Sequence, residues 1–401
     1  MPEFCAVLLL SSPYSVLTYA LPEDLPRGMW HVGARVVVPL GKSFRVGILT
    51  QAGVSEPEAC VCKDVLWPVD RKPFFSVAYL DFIRDLSIRQ MDAAGKILAR
   101  VLPAGLRDLP LFRTETGAAV RIGDLAMGGD RVELARAWLS GRFSTHVCPR
   151  RQERLFSLTA EPPWPVRPQA IAQLEVLRYL DVHGVSSAKA LNAHFGKNVA
   201  QPLRMLVQKG LIREVESPFA PEDACLEASV DFVLTGEQQL AVAGFRDLLD
   251  DPSPRSALLF GVTGSGKTAV YLDLARHSLC AGKHVMLLAP EVGIALKLFQ
   301  DVRQGLPEAT VRLFHGYLNQ GERQRIFAEL ADQASPSIIV GTRSSLFLPI
   351  EPGLVILDEE HDASFKQDEG LIYQARELAY GRVARSGGLL LMGSATPDVK
   401  V

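Results

Sequence analysis

Apolar positions follow three rhythms along the chain. In the first hundred residues they come as short runs at 4–10, 35–39 and 46–50, with Gly41 and Lys42 supplying a turn between the last two. Strands are expected there. Leu80, Ile83, Leu86, Met91, Ile97, Leu98 and Val101 then recur at helical spacing, so a helix or helix pair over 77–102 closes a β-rich unit. Pro103–Pro110 breaks it. Residues 111–165 hold little periodicity and end in Pro162, Pro163, Trp164 and Pro165, which reads as a linker.

A second rhythm covers 168–216. Amphipathic helices are predicted at 170–180, at 187–195 with Ser186 or Ser187 as cap, and at 199–209. Gly210 and a β-prone pair over 211–215 follow, the order of a winged helix-turn-helix. The same order suits any small three-helix unit, and winged helices serve protein contacts as well as DNA. From Leu234 onward, apolar runs at 257–260, 285–289, 338–340, 354–357 and 389–392 alternate with helical stretches. Continuous apolar strands between helices imply an α/β domain, with a parallel sheet covered on both faces.

At 401 residues, 48% hydrophobic and 22% charged, the composition excludes wholesale disorder and implies several domains. Apolar runs such as Ala6–Leu10, within 4–10, and Val285–Ala289 fall well short of the roughly 18 residues of a membrane span. Glu3 sits where a signal peptide carries positive charge, so a cytoplasmic protein without membrane contact is expected. Net charge is −2, but basic residues exceed acidic ones over 1–220 and the reverse holds beyond. The first half is therefore the better partner for a polyanion. Of the cysteines (Cys5, Cys60, Cys62, Cys148, Cys225 and Cys280), only Cys60 and Cys62 are close. No zinc site can be assembled from them.

The chemistry concentrates in the α/β half. GVTGSGKT comprises Gly261, Val262, Thr263, Gly264, Ser265, Gly266, Lys267 and Thr268, and lies between a predicted strand and a predicted helix. That is the context of a phosphate loop. Backbone N–H groups turn onto the phosphates, Lys267 neutralises the β/γ oxygens, and the Thr268 hydroxyl is a Mg²⁺ ligand. The strand 354–357 runs into Asp358, Glu359, Glu360 and His361. Carboxylates at the carboxyl edge of such a sheet suit Mg²⁺ (Asp358) and an attacking water (Glu359). Ser394 and Thr396, in GSATP, offer hydroxyls for a relay between the ATP site and a second ligand.

The order GVTGSGKT, PEVG (Pro290–Gly293), GTRS (Gly341–Ser344), DEEH, GSATP is that of superfamily-2 helicases. More closely, DEEHDASFKQDEGLIYQAR (Asp358–Arg376) resembles the Walker B motif and aromatic-rich loop of the PriA family, the primosomal replication-restart helicases. RVVVPLGKSFRVGIL (Arg35–Leu49) resembles that family's 3′-DNA-binding domain. The resemblance covers about 1–105 and 166–401. It implies a RecA-like helicase lobe at 222–401, a β-rich 3′-end DNA-binding domain at 1–106, and a linker with winged helix at 107–221 (core about 166–216).

It also implies an ATP- and Mg²⁺-dependent 3′→5′ DNA helicase that recognises stalled forks and initiates primosome assembly. Its partners would be forked DNA with a 3′ end, single-stranded DNA-binding protein, other primosome proteins and a helicase loader. By position, Leu17, Thr18, Tyr19, Gly41 and Lys42 line the 3′-end pocket. Arg343, Ser344, Phe365, Lys366 and Tyr373 contact DNA, Glu360 and His361 join the catalytic set, and Gln238 reads the adenine edge. Three departures stand out. Thr18 replaces the family's usual Asp, Ala295 and Leu296 its Thr-Pro, and Leu371 its frequent Trp. The second lobe, with its arginine finger, and the cysteine-rich zinc module of the family match no part of this chain. The chain alone is therefore expected to bind forks without unwinding them, as a truncated or degenerate member that docks partners would.

Overall fold

The computed structural model describes residues 3–57, 61–115, 119–120, 122, 125, 131–146, 155–159, 162, 164–167, 170–183, 186–196, 199–215, 234–262, 264–333 and 335–397. Thr263, Cys60, Cys148 and Cys225 lie outside them. The chain forms two units. One comprises Met1–Cys148, Ala224–Gly316 and Arg323–Val401, the other Pro149–Asp223 and Tyr317–Glu322.

The larger unit opens with strands β1 (Glu3–Leu9), β2 (Val16–Leu21), β3 (Arg35–Leu40), β4 (Ser43–Val54) and β5 (Trp67–Pro68). They form one antiparallel sheet in the order β2-β1-β4-β3-β5. Alternate side chains (Cys5, Val7, Leu9; Val36, Val38) enter one core, as period-2 geometry requires. Gly41 takes φ +61° at the β3–β4 turn, where a side chain would be strained. The expected helix pair is α1 (Val77–Gln90) and α2 (Ala94–Val101). Ser76 caps α1 by accepting from the Tyr79 N–H, and Met91 ends it in the left-handed region.

The described residues between 111 and 146, in a stretch expected as linker, fold instead. Strands β6 (Leu111–Arg113), β7 (Ala119–Val120) and β8 (Ser144–His146) make a small sheet beside α3 (Arg131–Leu139). Phe112, Trp138 and Phe143 pack with Trp67 of the first sheet, ring centroids 5.4–6.4 Å apart. A few large rings on short segments supply this core, so no periodic pattern announces it.

The rest of this unit is the α/β lobe. Strands β12 (Arg255–Phe260), β13 (His284–Leu288), β14 (Val311–Phe314), β15 (Ile338–Gly341), β16 (Pro352–Asp358) and β19 (Leu389–Ser394) form a parallel sheet. Their order is β12-β19-β16-β13-β15-β14. Helices α7 (Gly236–Asp250), α8 (Lys267–Cys280), α9 (Val292–Gly305), α10 (Gln320–Asp332) and α11 (Ala375–Ser386) connect it. The apolar runs of β13, β15, β16 and β19 are buried, with Val285, Leu287, Ile338, Val340, Leu354, Ile356, Leu389 and Leu391 in one core, whereas β12 at the sheet edge is partly buried and its Phe260 is exposed. The fold is a RecA-like helicase lobe, as the sequence predicts. Within the same unit α1 packs on α11. The Tyr79 hydroxyl donates to the Phe347 carbonyl at 2.7 Å, and the Arg382 guanidinium lies over the rings of Tyr79 and Phe82.

In the smaller unit, α4 (Ile171–His183), α5 (Ala188–Phe195) and α6 (Ala200–Gln208) match the three predicted helices to within a few residues. The expected β-pair differs. Among the described residues of this unit one strand, β11 (Ile212–Val215), follows the helices, and its antiparallel partner β9 (Leu155–Leu158) precedes them. Ser186 and Ser187, expected as a cap, form the short strand β10, which pairs with the other edge of β9. Phe156 of β9 joins Leu177, Leu180, Leu203 and Leu206 in the core, which explains why this strand belongs here rather than in a linker. No described helix is long and apolar enough to cross a membrane.

Candidate nucleotide site and its neighbouring hairpin

Three strand ends build the site. β19 lies between β12 and β16, so the segments leaving them are adjacent at the carboxyl edge of the sheet. Phe260 is in register with Ser394, and Asp358 with Gly393. Beyond the strands, the Gly261 N–H donates to the Ser394 carbonyl and the Glu360 N–H to the Gly393 carbonyl, both at 3.1 Å. The phosphate loop, DEEH and GSATP are thus tied by backbone bonds before any side chain acts.

The phosphate loop bends through Gly264 (φ +80°) and Gly266 (φ +76°), and Gly266 caps α8. These conformations, which residues other than glycine rarely adopt, bring the loop round to the start of α8, where the helix dipole is positive. The Lys267 side chain is 9% exposed. Its ammonium donates to the Gly261 carbonyl at 3.0 Å and lies 3.5 Å from Glu359 Oε1. Thr268 is half-buried on the first turn of α8. A cation, a hydroxyl, exposed helix N–H groups and the Asp358 carboxylate are the donor set that a nucleotide triphosphate with Mg²⁺ requires, so the residues fit both groups.

Asp358 accepts a hydrogen bond at Oδ1 from the Tyr271 hydroxyl, 2.9 Å away. Burial raises the Asp358 carboxyl above its ordinary value, and the Tyr271 bond and Lys267 oppose that rise. The Tyr271 phenol is pushed up first by its own burial and then by Asp358, so it remains a donor. Glu359 sits at φ +49°, a strained backbone of the kind found at functional sites. Its carboxylate faces Lys267 on one side and His361 at 3.8 Å on the other. His361 Nδ1 meets the Ser394 hydroxyl at 2.8 Å, and the Thr396 N–H donates to that hydroxyl at 3.1 Å. The buried Glu360 points elsewhere, its carboxylate 3.7 Å from Arg376 of α11. Of the four residues of DEEH, three therefore gather at the phosphate loop, while Glu360 anchors α11.

Gln238 completes a capping box with Thr235 at the start of α7. Its side-chain oxygen accepts from the Thr235 N–H at 2.9 Å, and its amide donates to the Ser265 carbonyl of the phosphate loop, also at 2.9 Å. The amide engages the phosphate loop itself.

The aromatic-rich loop is a hairpin of β17 (Lys366–Gln367) and β18 (Tyr373–Gln374). Here one expectation is corrected. Phe365, proposed as a base-stacking ring, is 1% exposed and belongs to the interior. Leu371 is buried too, and the exposed apolar side chain of the hairpin is Ile372. Tyr373 is half-buried with its ring 5.4 Å from Phe347, and burial pushes its phenol up to about 12. Arg343 forks onto Gln367 Oε1 at 2.7 and 3.1 Å and also donates to the Ser364 carbonyl, so it holds the hairpin. The Ser344 hydroxyl lies 3.4 Å from that of Thr342. Lys366 is exposed beside Asp368.

In the first sheet, the buried Tyr19 donates from its hydroxyl to the Pro39 carbonyl at 3.2 Å. Its ring lies in the core while its polar end meets the strand that leads into Gly41. Leu17 and Thr18 are half-buried on the same strand and Lys42 is exposed at the turn.

Residues 6–103 match the family profile described as a 3′DNA-binding domain, and residues 238–401 match the DEAD/DEAH box helicase profile. The chain thus joins a helicase lobe to a 3′DNA-binding domain. It is 31% identical over 421 residues to the replication restart protein PriA of Bacillus subtilis, covering 95% of this chain and 51% of the relative. With PriA of Haemophilus influenzae it shares 28% identity over 395 residues, covering 95% and 47%. The chain resembles these PriA proteins over 95% of its own length and spans about half of theirs.

Proposed function

We propose that the chain is the fork-docking and ATP-binding part of a cytoplasmic, ATP-dependent 3′→5′ DNA helicase that recognises stalled replication forks and initiates primosome assembly. The observation that carries this reading is the meeting of phosphate loop, Asp358, Glu359 and Ser394 at one sheet edge, in the unit that also holds the 3′-DNA-binding sheet. Lys267 would bind the β/γ phosphates of the nucleotide, and Thr268 and Asp358 would hold Mg²⁺, which would supply charge neutralisation there. Glu359 orients the attacking water. His361, Ser394 and Thr396 link the nucleotide to the rest of the lobe.

Leu17, Thr18, Tyr19, Gly41 and Lys42 form the 3′-end pocket, and the smaller unit serves as a winged helix. Single-stranded DNA-binding protein, other primosome proteins and a helicase loader are the partners the family implies, with zinc held by its cysteine module. A second reading, a member that binds forks and ATP and docks partners without unwinding, is favoured by the burial of Phe365 and Leu371. That burial leaves no fully exposed ring on the hairpin.

The test is a binding titration of labelled forks ending in a 3′-hydroxyl or a 3′-phosphate. A pocket that bonds a hydroxyl rejects added charge and bulk, so the phosphate should weaken binding about tenfold, or roughly 1.4 kcal/mol. Equal affinities would contradict the pocket.

A further inference from the structure

The phenol of Tyr271 takes part in none of the steps above, yet it sits at their junction. Tyr271 lies four residues after Lys267 on α8, one turn along the same face, and is fully buried. Its hydroxyl donates to Asp358 Oδ1 at 2.9 Å. A Cβ added to Gly393 would lie 1.8 Å from that hydroxyl, far inside contact distance, so the phenol occupies the space that the first glycine of GSATP leaves open. One side chain therefore touches the helix of the phosphate loop, the carboxylate of DEEH and the backbone of β19.

We infer that Tyr271 is a positioning residue for the metal-bound nucleotide, fixing the plane of the Asp358 carboxylate so that its second oxygen remains available to Mg²⁺. A carboxylate at the end of a strand rotates about its own side-chain bond unless a partner holds one oxygen. Groups that hold a ligand from behind typically change metal affinity by about 10–100-fold when removed. No other side-chain donor within the site reaches Asp358 among the hydrogen bonds of the described residues. Tyr271→Phe deletes this donor and keeps the ring that fills the core. The inference rests on reading the site as one for Mg²⁺ and ATP.

The experiment uses the 401-residue chain, a fluorescent N-methylanthraniloyl-ATP probe, and parallel titrations with Mg²⁺ and with EDTA. In Tyr271→Phe the affinity in EDTA should stay within about twofold of the parent, while the gain on adding Mg²⁺ falls about tenfold. Thermal unfolding of both proteins establishes that the variant is folded. In an Asp358→Asn background, Tyr271→Phe should change nothing further, because its effect passes through that carboxylate.

An equal loss with and without Mg²⁺ would assign Tyr271 to packing alone and overturn the inference. So would an undiminished Mg²⁺ gain, or full additivity with Asp358→Asn. Failure of the parent chain to bind the probe at all would overturn the nucleotide site itself. That result is separate, because it appears before any variant is made.

Discussion

Arg382→Met removes a buried cation that braces α11 against α1, and its cost can be worked from the partners. The guanidinium is 4% exposed and donates to the carbonyls of Leu346 and Leu348, at 2.8 and 3.1 Å, and to that of Ile350. Burial lowers its pKa from the ordinary guanidinium range to about 10, a penalty of roughly 3 kcal/mol on the charged form that the substitution relieves. Against this, three buried acceptors lose their donor at about 2 kcal/mol each. The net loss is therefore about 3 kcal/mol. Some contact with Tyr79 and Phe82 survives, because Met also packs well on rings. At about 2–3 °C per kcal/mol for a unit of this size, the thermal midpoint should fall by roughly 6–9 °C. Differential scanning calorimetry reads this directly. A midpoint within about 2 °C of the parent would refute the reasoning, since the carbonyls would then have found other partners.

Three further outcomes follow from named contacts. Phe365→Ala should destabilise the lobe by about 3–5 kcal/mol in denaturant titrations, as a core truncation does, rather than act selectively on single-stranded DNA binding. Gln238→Ala breaks the capping box and the bond to Ser265. It should cost about 1 kcal/mol in stability and reduce the ATP-over-GTP preference in competition titrations, and an unchanged preference would separate Gln238 from the base. His284 has its pKa lowered by burial, and its Nδ1 accepts from the Ser337 N–H at 3.1 Å. The neutral ring's stability is therefore present above about pH 6.5 and is lost as pH falls through the lower folded value. His284→Phe should flatten the fall in thermal midpoint between roughly pH 7 and 5.

What could be seen in the sequence was whatever one short segment encodes. The phosphate loop needs only a strand, a glycine-rich turn and a helix in succession, and all three lie within 255–280. Buried parallel strands likewise declare themselves as unbroken apolar runs. Contacts between distant segments do not. Strand β9 pairs with a strand more than fifty residues later, and its four residues carry no pattern of their own. The rings of Phe112, Trp138 and Phe143 become a core only once Trp67 is placed among them.

Phe365 looked like a surface ring because its neighbours Lys366, Gln367 and Asp368 are polar, whereas a 3-10 turn turns it inward. Tyr271 was hidden by being one apolar position among several on α8. Its spacing of four from Lys267 was the available signal, and it gained meaning only when Asp358 was found opposite. Arg382 had no signal at all. A cation in a helix reads as a solvated face until its carbonyl partners appear.

The central claim is that nucleotide and DNA are held by different parts of one body, with Lys267 serving only the first. Paired titrations of the chain and its Lys267→Ala variant, with N-methylanthraniloyl-ATP in Mg²⁺ and with a fork bearing a 3′-hydroxyl, test this directly. Loss of one charge-assisted contact to phosphate predicts nucleotide binding weaker by about tenfold or more. Fork affinity should stay within about twofold, since the variant leaves the first sheet untouched. A variant that binds nucleotide as well as the parent, or that loses fork affinity to the same degree while still folded, would contradict the account.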